Sequence, residues 1–177
     1  MEDDDLPILG EPLAIEFANT QYGEGADRWD ILERPEDAGR WAKYTLAALA
    51  PSDLGTLMGL RDLRDDIHRL ILAHSEGRPL CVSTVARINA HTATACAHLR
   101  LVIDPHGQPA SQVVFRGGLG AQLATSCIEV LTGPNPVLRC QGPGCTLFFV
   151  QTHRRRRFCH ESCSHRARQR RYARKGQ

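Results

Sequence analysis

Between residues 140 and 163 the chain reads CQGPGC, then a connector of 13 residues, then CHESC. Zinc takes four tetrahedral ligands, and two thiolate pairs at close local spacing supply them without help from the rest of the chain. This pattern restricts the fold more than any other, because so short and charged a segment cannot build a sufficient core of its own. The glycines of the first pair let backbone amides turn toward sulfur. The connector opens with Leu147, Phe148, Phe149 and Val150, enough for a short strand over a metal. Cys159 and Cys163 stand four apart, so on a helix both sulfurs share one face. Knuckle, hairpin and a helix carrying the last two ligands predict a treble-clef-like finger, with Zn2+ held by Cys140, Cys145, Cys159 and Cys163. Two disulfides compete with this reading, as does replacement of one thiolate by His153, His160 or His165. A reducing compartment disfavours the disulfides. Four cysteines at fitting spacing leave the histidines as surface residues.

Charge divides the chain at the same place. Residues 1–152 carry 12 Lys and Arg against 19 Asp and Glu, whereas residues 153–177 carry 10 against 1. An acidic body with a basic tail points to a polyanionic partner for the tail, nucleic acid before acidic membrane. Nearly all of that positive charge is guanidinium, the group suited to bidentate contact with phosphate or guanine. If residues 163–175 are helical, Arg166, Arg168, Arg170, Arg171, Arg174 and Lys175 spread over an arc of about 200°. His165, Gln169, Tyr172 and Ala173 fill the other side, which is expected to rest on the module. Arg154, Arg155, Arg156 and Arg157 add a second basic strip before Cys159, and some of these arginines also offset the charge of a zinc–thiolate centre.

The body reads as mainly helical. PILGEPLAIEFANT, residues 7–20, alternates apolar residues in a way that fits a short strand or the first turns of a helix, and Asn19 and Thr20 break the run. Those two polar residues mark a candidate ligand site, with capping as the competing role. A helix enters at Arg34–Asp37, with Trp41, Leu46 and Leu49 inward. A further helix starts at Ser52, where Leu57, Leu60, Leu63, Ile67, Leu70 and Ile71 recur at helical spacing and Gly77 and Pro79 end it. The next begins at Ser83, with Val85, Ile88 and Cys96 on its apolar side. The period then drops to 2 around a DPHG turn, which predicts a small antiparallel hairpin. A last body helix spans Gly118 to Leu131. Cys81, Cys96 and Cys127 stand alone and are expected as small buried apolar residues. The expected division is a body over 1–135 and a finger over 136–177. The acidic opening MEDDDLP and the lack of an apolar run of about eighteen residues predict a cytosolic, nucleoid-associated protein with no membrane partner.

Over almost its whole length the chain resembles one family, the CGNR zinc-finger proteins with an N-terminal ABATE domain. PLAIEFANT is similar to the family's opening motif, and RCQGPGCTLFFVQTHRRRRFCHESCSHRARQRRYAR to its finger, with all four cysteines in place. The naming motif Cys-Gly-Asn-Arg departs here to Cys163, Ser164, His165 and Arg166. The resemblance implies a bacterial stress-induced transcription regulator, with a mainly helical N-terminal domain and a finger that meets DNA.

These readings predict a zinc-dependent regulator that binds double-stranded DNA through its finger, with the body as sensor or dimerisation unit. The alternative is a protein-interaction finger docking an acidic partner in the transcription machinery. A third reading, single-stranded RNA, lacks free stacking aromatics beyond Phe148, Phe149, Phe158 and Tyr172. Catalysis is not expected. Four cysteines close the zinc shell, and no GxSxG, phosphate loop or HExxH occurs.

Overall fold

Every residue of helix α1 (Leu13–Ala18) except Leu13 is buried, Glu16 included, so burial on every side, not a one-sided stripe, places it at the centre of the body. The sequence pattern there fits strand and helix alike because a helix buried on all sides has no polar face to reveal its period. The computed structural model describes residues 6–46, 54–93, 95–103 and 105–175. Around α1 stand α2 (Pro35–Thr45), α4 (Arg61–Ser75), α5 (Val82–Thr92) and α6 (Leu119–Thr132), with a short α3 (Leu54–Gly59) before α4. Phe17 of α1 meets Trp41 of α2 with ring centroids 5.9 Å apart. The Ala14 N–H donates to Ser126 Oγ of α6 at 3.0 Å. Ile67, Leu70, Ile71, Leu123, Ala124 and Cys127 complete the same core.

Among the described residues three separate antiparallel pairs accompany the helices. They are β1 (Gln21–Tyr22) with β2 (Trp29–Asp30), β3 (Cys96–Ile103) with β4 (Pro109–Arg116), and β5 (Val137–Arg139) with β6 (Phe148–Val150). The architecture is mainly helical with small antiparallel sheets, as the sequence predicts. Arg64 of α4 is buried and ties β2 to the core, donating to both carboxylate oxygens of Asp30 at 2.8 and 2.7 Å and to Asp65 at 2.7 Å. Burial would raise the Asp30 carboxyl, but the hydrogen bonds from Arg64 outweigh it and hold Asp30 below the ordinary carboxylate range.

Several expectations change. The helix expected to run from Ser52 is two helices, because Leu60 leaves helical geometry directly after Gly59, a poor helix former. Cys96 opens β3 and is exposed, so it belongs to no apolar helix face. Cys81 is exposed as well, while Cys127 is buried as expected. Leu101 and Ile103, on one face of the β3–β4 hairpin, are 79% and 78% exposed. Leu49, Pro51, Ser52 and Asp53 lie outside the described residues.

The β5–β6 hairpin joins body to tail through its two faces. Val137 pairs with Val150 and Arg139 with Phe148, and between them Leu138 pairs with Phe149. Side chains alternate across a strand. Val137, Phe148 and Val150 therefore enter the body core, while Leu138 and Phe149 pack around the cysteines.

Candidate metal centre

The first cysteine pair sits at the tip of that hairpin. Cys140 follows β5, and its N–H donates to the Leu147 carbonyl at 2.8 Å, so the knuckle is the turn of the hairpin and not a unit before it. Gly142 approaches the opposing ligand so closely that a Cβ there would lie 2.7 Å from Cys163 Cβ and 3.1 Å from its sulfur. Gly144 has φ +69°, a left-handed conformation that side chains disfavour. The motif QGPG thus needs its first glycine for space and its second for backbone shape.

The second pair arrives differently from expectation. α7 (Glu161–Lys175) contains Cys163 in its first turn, whereas Cys159 precedes the helix. The loop, not the helix, therefore presents the third ligand. All four sulfurs lie within 4.8 Å of one another. Cys145 to Cys159 and Cys159 to Cys163 are each 3.7 Å apart. Zinc–sulfur bonds of about 2.3 Å in a tetrahedron give sulfur–sulfur edges of about 3.8 Å. The cluster has the dimensions of a four-thiolate zinc site and lacks the sulfur–sulfur bonds of disulfides. Cys140, Cys159 and Cys163 are buried. His153, His160 and His165 are exposed and stand outside the cluster.

Charge around the sulfurs is arranged to support thiolates. Cys140 accepts the backbone N–H groups of Gly142 and Cys159, each at 3.3 Å, and Arg166 donates to Cys163 at 3.0 Å. Hydrogen bonds from the Cys145 and Cys159 thiols and then from these amides hold the Cys140 thiol far below its ordinary range, down to about 2. The same proximity to Cys140 pushes Cys145 up to about 12 and raises Cys159. Four thiolates this close repel one another unless a cation lies between them. Metal binding accordingly displaces protons from the cluster.

The structure places the expected basic residues in two groups. Arg154, Arg155 and Arg157 are exposed on the loop before Cys159, and Arg166, Arg168, Arg170, Arg171 and Arg174 are exposed on α7. Lys175 ends the helix. Arg156 is different. Its guanidinium lies 4.7 Å above the Phe149 ring, donates to the Val150 carbonyl at 3.0 Å and the Cys159 carbonyl at 3.2 Å, and pairs with Glu11 at 2.6 Å. It is a clamp holding the loop to the hairpin and the body. The expected resting face of the last helix is also absent, since every residue from Arg168 to Arg174 is exposed, with Tyr172 at 74%. α7 leaves the metal and projects into solvent.

Asn19 and Thr20 are buried and bonded within the protein. The Asn19 amide donates to the Phe148 carbonyl at 3.0 Å and accepts the Phe148 N–H at 2.9 Å, pairing with β6 as a strand would. Thr20 Oγ1 donates to the Phe17 carbonyl at 2.7 Å. Sequence reasoning also passes over Glu11, which accepts the Val150 N–H at 2.9 Å and faces Arg156. Asn19, Glu11 and His68, whose ring meets Phe148 edge-on at 5.2 Å, fasten the body to the hairpin.

A helical body fastened to a four-cysteine zinc finger defines the class. Residues 11–134 match the ABATE family model, described as "putative stress-induced transcription regulator", and residues 137–175 match the CGNR zinc finger. The chain belongs to the ABATE family, and its finger is a CGNR-type zinc site. Neither a curated protein nor a solved structure matches it. Among the described residues no helix is long and apolar enough to cross a membrane.

Proposed function

We propose that this protein is a zinc-dependent transcription regulator that binds double-stranded DNA through its finger, acting in the cytoplasm at the nucleoid. The observation that carries the reading is the exposed arginine surface on a metal-locked scaffold. Arg166, Arg168, Arg170, Arg171 and Arg174 project on α7, beside Arg154, Arg155 and Arg157 of the preceding loop. So many like charges on one free helix repel one another unless an anion arrives. At 15 residues α7 is about 22 Å long, a length that fits a groove of duplex DNA. The metal orients this helix, because from Arg168 onward it rests on nothing else. The body acts as sensor or dimerisation unit, a dimer supplying the contact area that one small finger lacks.

The test is selection of the zinc-loaded protein against a random duplex library at near-physiological salt. An enriched motif is expected, with a log–log slope of affinity against salt of about −5 for some six phosphate contacts. Binding to duplex that shows no enrichment reduces the finger to a non-specific anchor. A second reading is favoured by the exposure of Tyr172 on a helix open on every side. In it α7 docks an acidic protein of the transcription machinery, and affinity for that protein without affinity for duplex would select it.

A further inference from the structure

A half-open cleft of about 630 Å³ lies between the body and the metal centre, within the size range of small-molecule sites. Its floor is apolar, formed by Leu6 and Ile8 of the segment before α1 and by Leu147 beside the knuckle. One wall is the β1–β2 hairpin, where Tyr22 and Trp29 are direct cross-strand partners and both line the cleft. The loop between them contributes two carboxylates, Glu24 and Asp27. Glu24 pairs with Arg139 at 2.6 Å. The Asp27 side chain is exposed and has no partner among the described residues. The opposite wall is the cysteine cluster, which carries a net charge near −2 with zinc bound. Two basic side chains line the cleft, His160, which is hydrogen-bonded to Ser162, and Arg166, which already donates to the Cys163 sulfur.

We infer that this cleft is a binding site for an amphipathic organic cation, an aromatic or aliphatic ammonium or phosphonium compound. Apolar anions meet the unpaired Asp27 carboxylate and a thiolate cluster there, while the nearby guanidiniums are already engaged, Arg139 by Glu24, Arg166 by the Cys163 sulfur and Arg34 over the Trp29 ring. A cation meets the reverse, together with two aromatic rings, the surface that attracts alkylated ammonium groups. Trp29 shows the same preference within the protein, since the Arg34 guanidinium stacks over its ring at 5.6 Å. The ligand touches the body on one side and the metal ligands on the other, so its occupancy reports directly on the part of the chain that orients α7. The site does not depend on what α7 binds.

The test is calorimetric titration of the full zinc-loaded chain, without DNA, with tetraphenylphosphonium and separately with naphthalene-2-sulfonate. Saturable phosphonium binding in the micromolar range is expected. It should weaken about tenfold in Trp29→Leu and at least about threefold in Asp27→Asn. Both side chains are exposed, so the variants should keep one zinc per chain and the parent's circular dichroism. The inference fails if phosphonium does not bind saturably or if either variant binds it like the parent. It fails too if the sulfonate binds more tightly with the same dependence on Trp29. The DNA reading survives any of these results, because no nucleic acid enters the measurement.

Discussion

The body and the finger solve the problem of cohesion in opposite ways. In the body, Phe17, Trp41, Ile67, Leu70, Ile71 and Leu123 share one continuous apolar core with most of the helices. Around the metal, the buried residues are Phe149 and three of the cysteines, with Leu9, Leu138, Leu147 and Phe158 partly buried against them. The contrast shows that the physical seam lies inside the finger. The β5–β6 hairpin is held by the body through Val137 and Phe148, whereas the loop after Val150 and α7 are held by the metal and by Arg156. Metal loss should therefore melt the finger from Val150 onward and leave the hairpin docked.

Removing zinc with a chelator, or replacing Cys159 with Ala, tests that division with the largest effect. A four-thiolate site contributes about 10 kcal/mol or more to the fold it closes. Hydrogen exchange should show the amides of 152–175 losing protection while those of α1 and α4 keep theirs, and duplex binding should disappear. Cooperative melting of the whole chain would erase the distinction. Next in size is Asn19→Ala, which leaves the buried Phe148 N–H and carbonyl without partners. It should cost about 2–4 kcal/mol, read as a lower unfolding temperature with zinc content unchanged.

Gly142→Ala attacks the other side of the seam. A Cβ 2.7 Å from Cys163 must push the first pair away from α7. Zinc affinity should fall by about 10- to 100-fold in a chelator competition, equivalent to about 1–3 kcal/mol of overpacking, while the body melts as before. The arginines sharpen the comparison further. Arg155→Ala should lower the salt slope of duplex binding by about one with no change in stability, and Arg156→Ala should lower stability with little change in slope. The smallest effect is one of pH. Burial, with the nearby Arg64 charge, pushes the His68 imidazole below its ordinary value near 6.5. The unfolded chain then takes up this proton first, so stability is full above about pH 6.5 and declines as pH falls below it. His68→Phe should flatten that limb of the profile in urea melts measured at a series of pH values.

The ligand set was legible because zinc geometry converts directly into cysteine spacing, and that spacing survives whatever surrounds it. The amphipathic run through Leu63, Ile67 and Leu70 was legible for a similar reason, since α4 has one wet side and one dry. Helix α1 was not, because burial on all sides removes the polar face that distinguishes a period of 3.6 from one of 2. The roles of Asn19 and Arg156 depend on partners across the chain. A side-chain amide that completes a strand 129 residues away leaves no local signature. Nor does an arginine among four arginines reveal which one turns inward. The projection of α7 was hidden too, because Tyr172 and Ala173 suit a packed face as well as an exposed one.

The Asn19 clamp also bears on the order in which the molecule assembles. It joins the end of the first helix to a strand 129 residues later. During synthesis the amide must wait until Phe148 has left the ribosome. Contacts of such long separation form late, after the local helices have gathered. Until then Asn19 and the core beside it stay open to water, so a nascent body cut off before Phe148 is an unfinished one. The finger is thus made after the body, and its β5–β6 pair is the piece that seals the earlier helices.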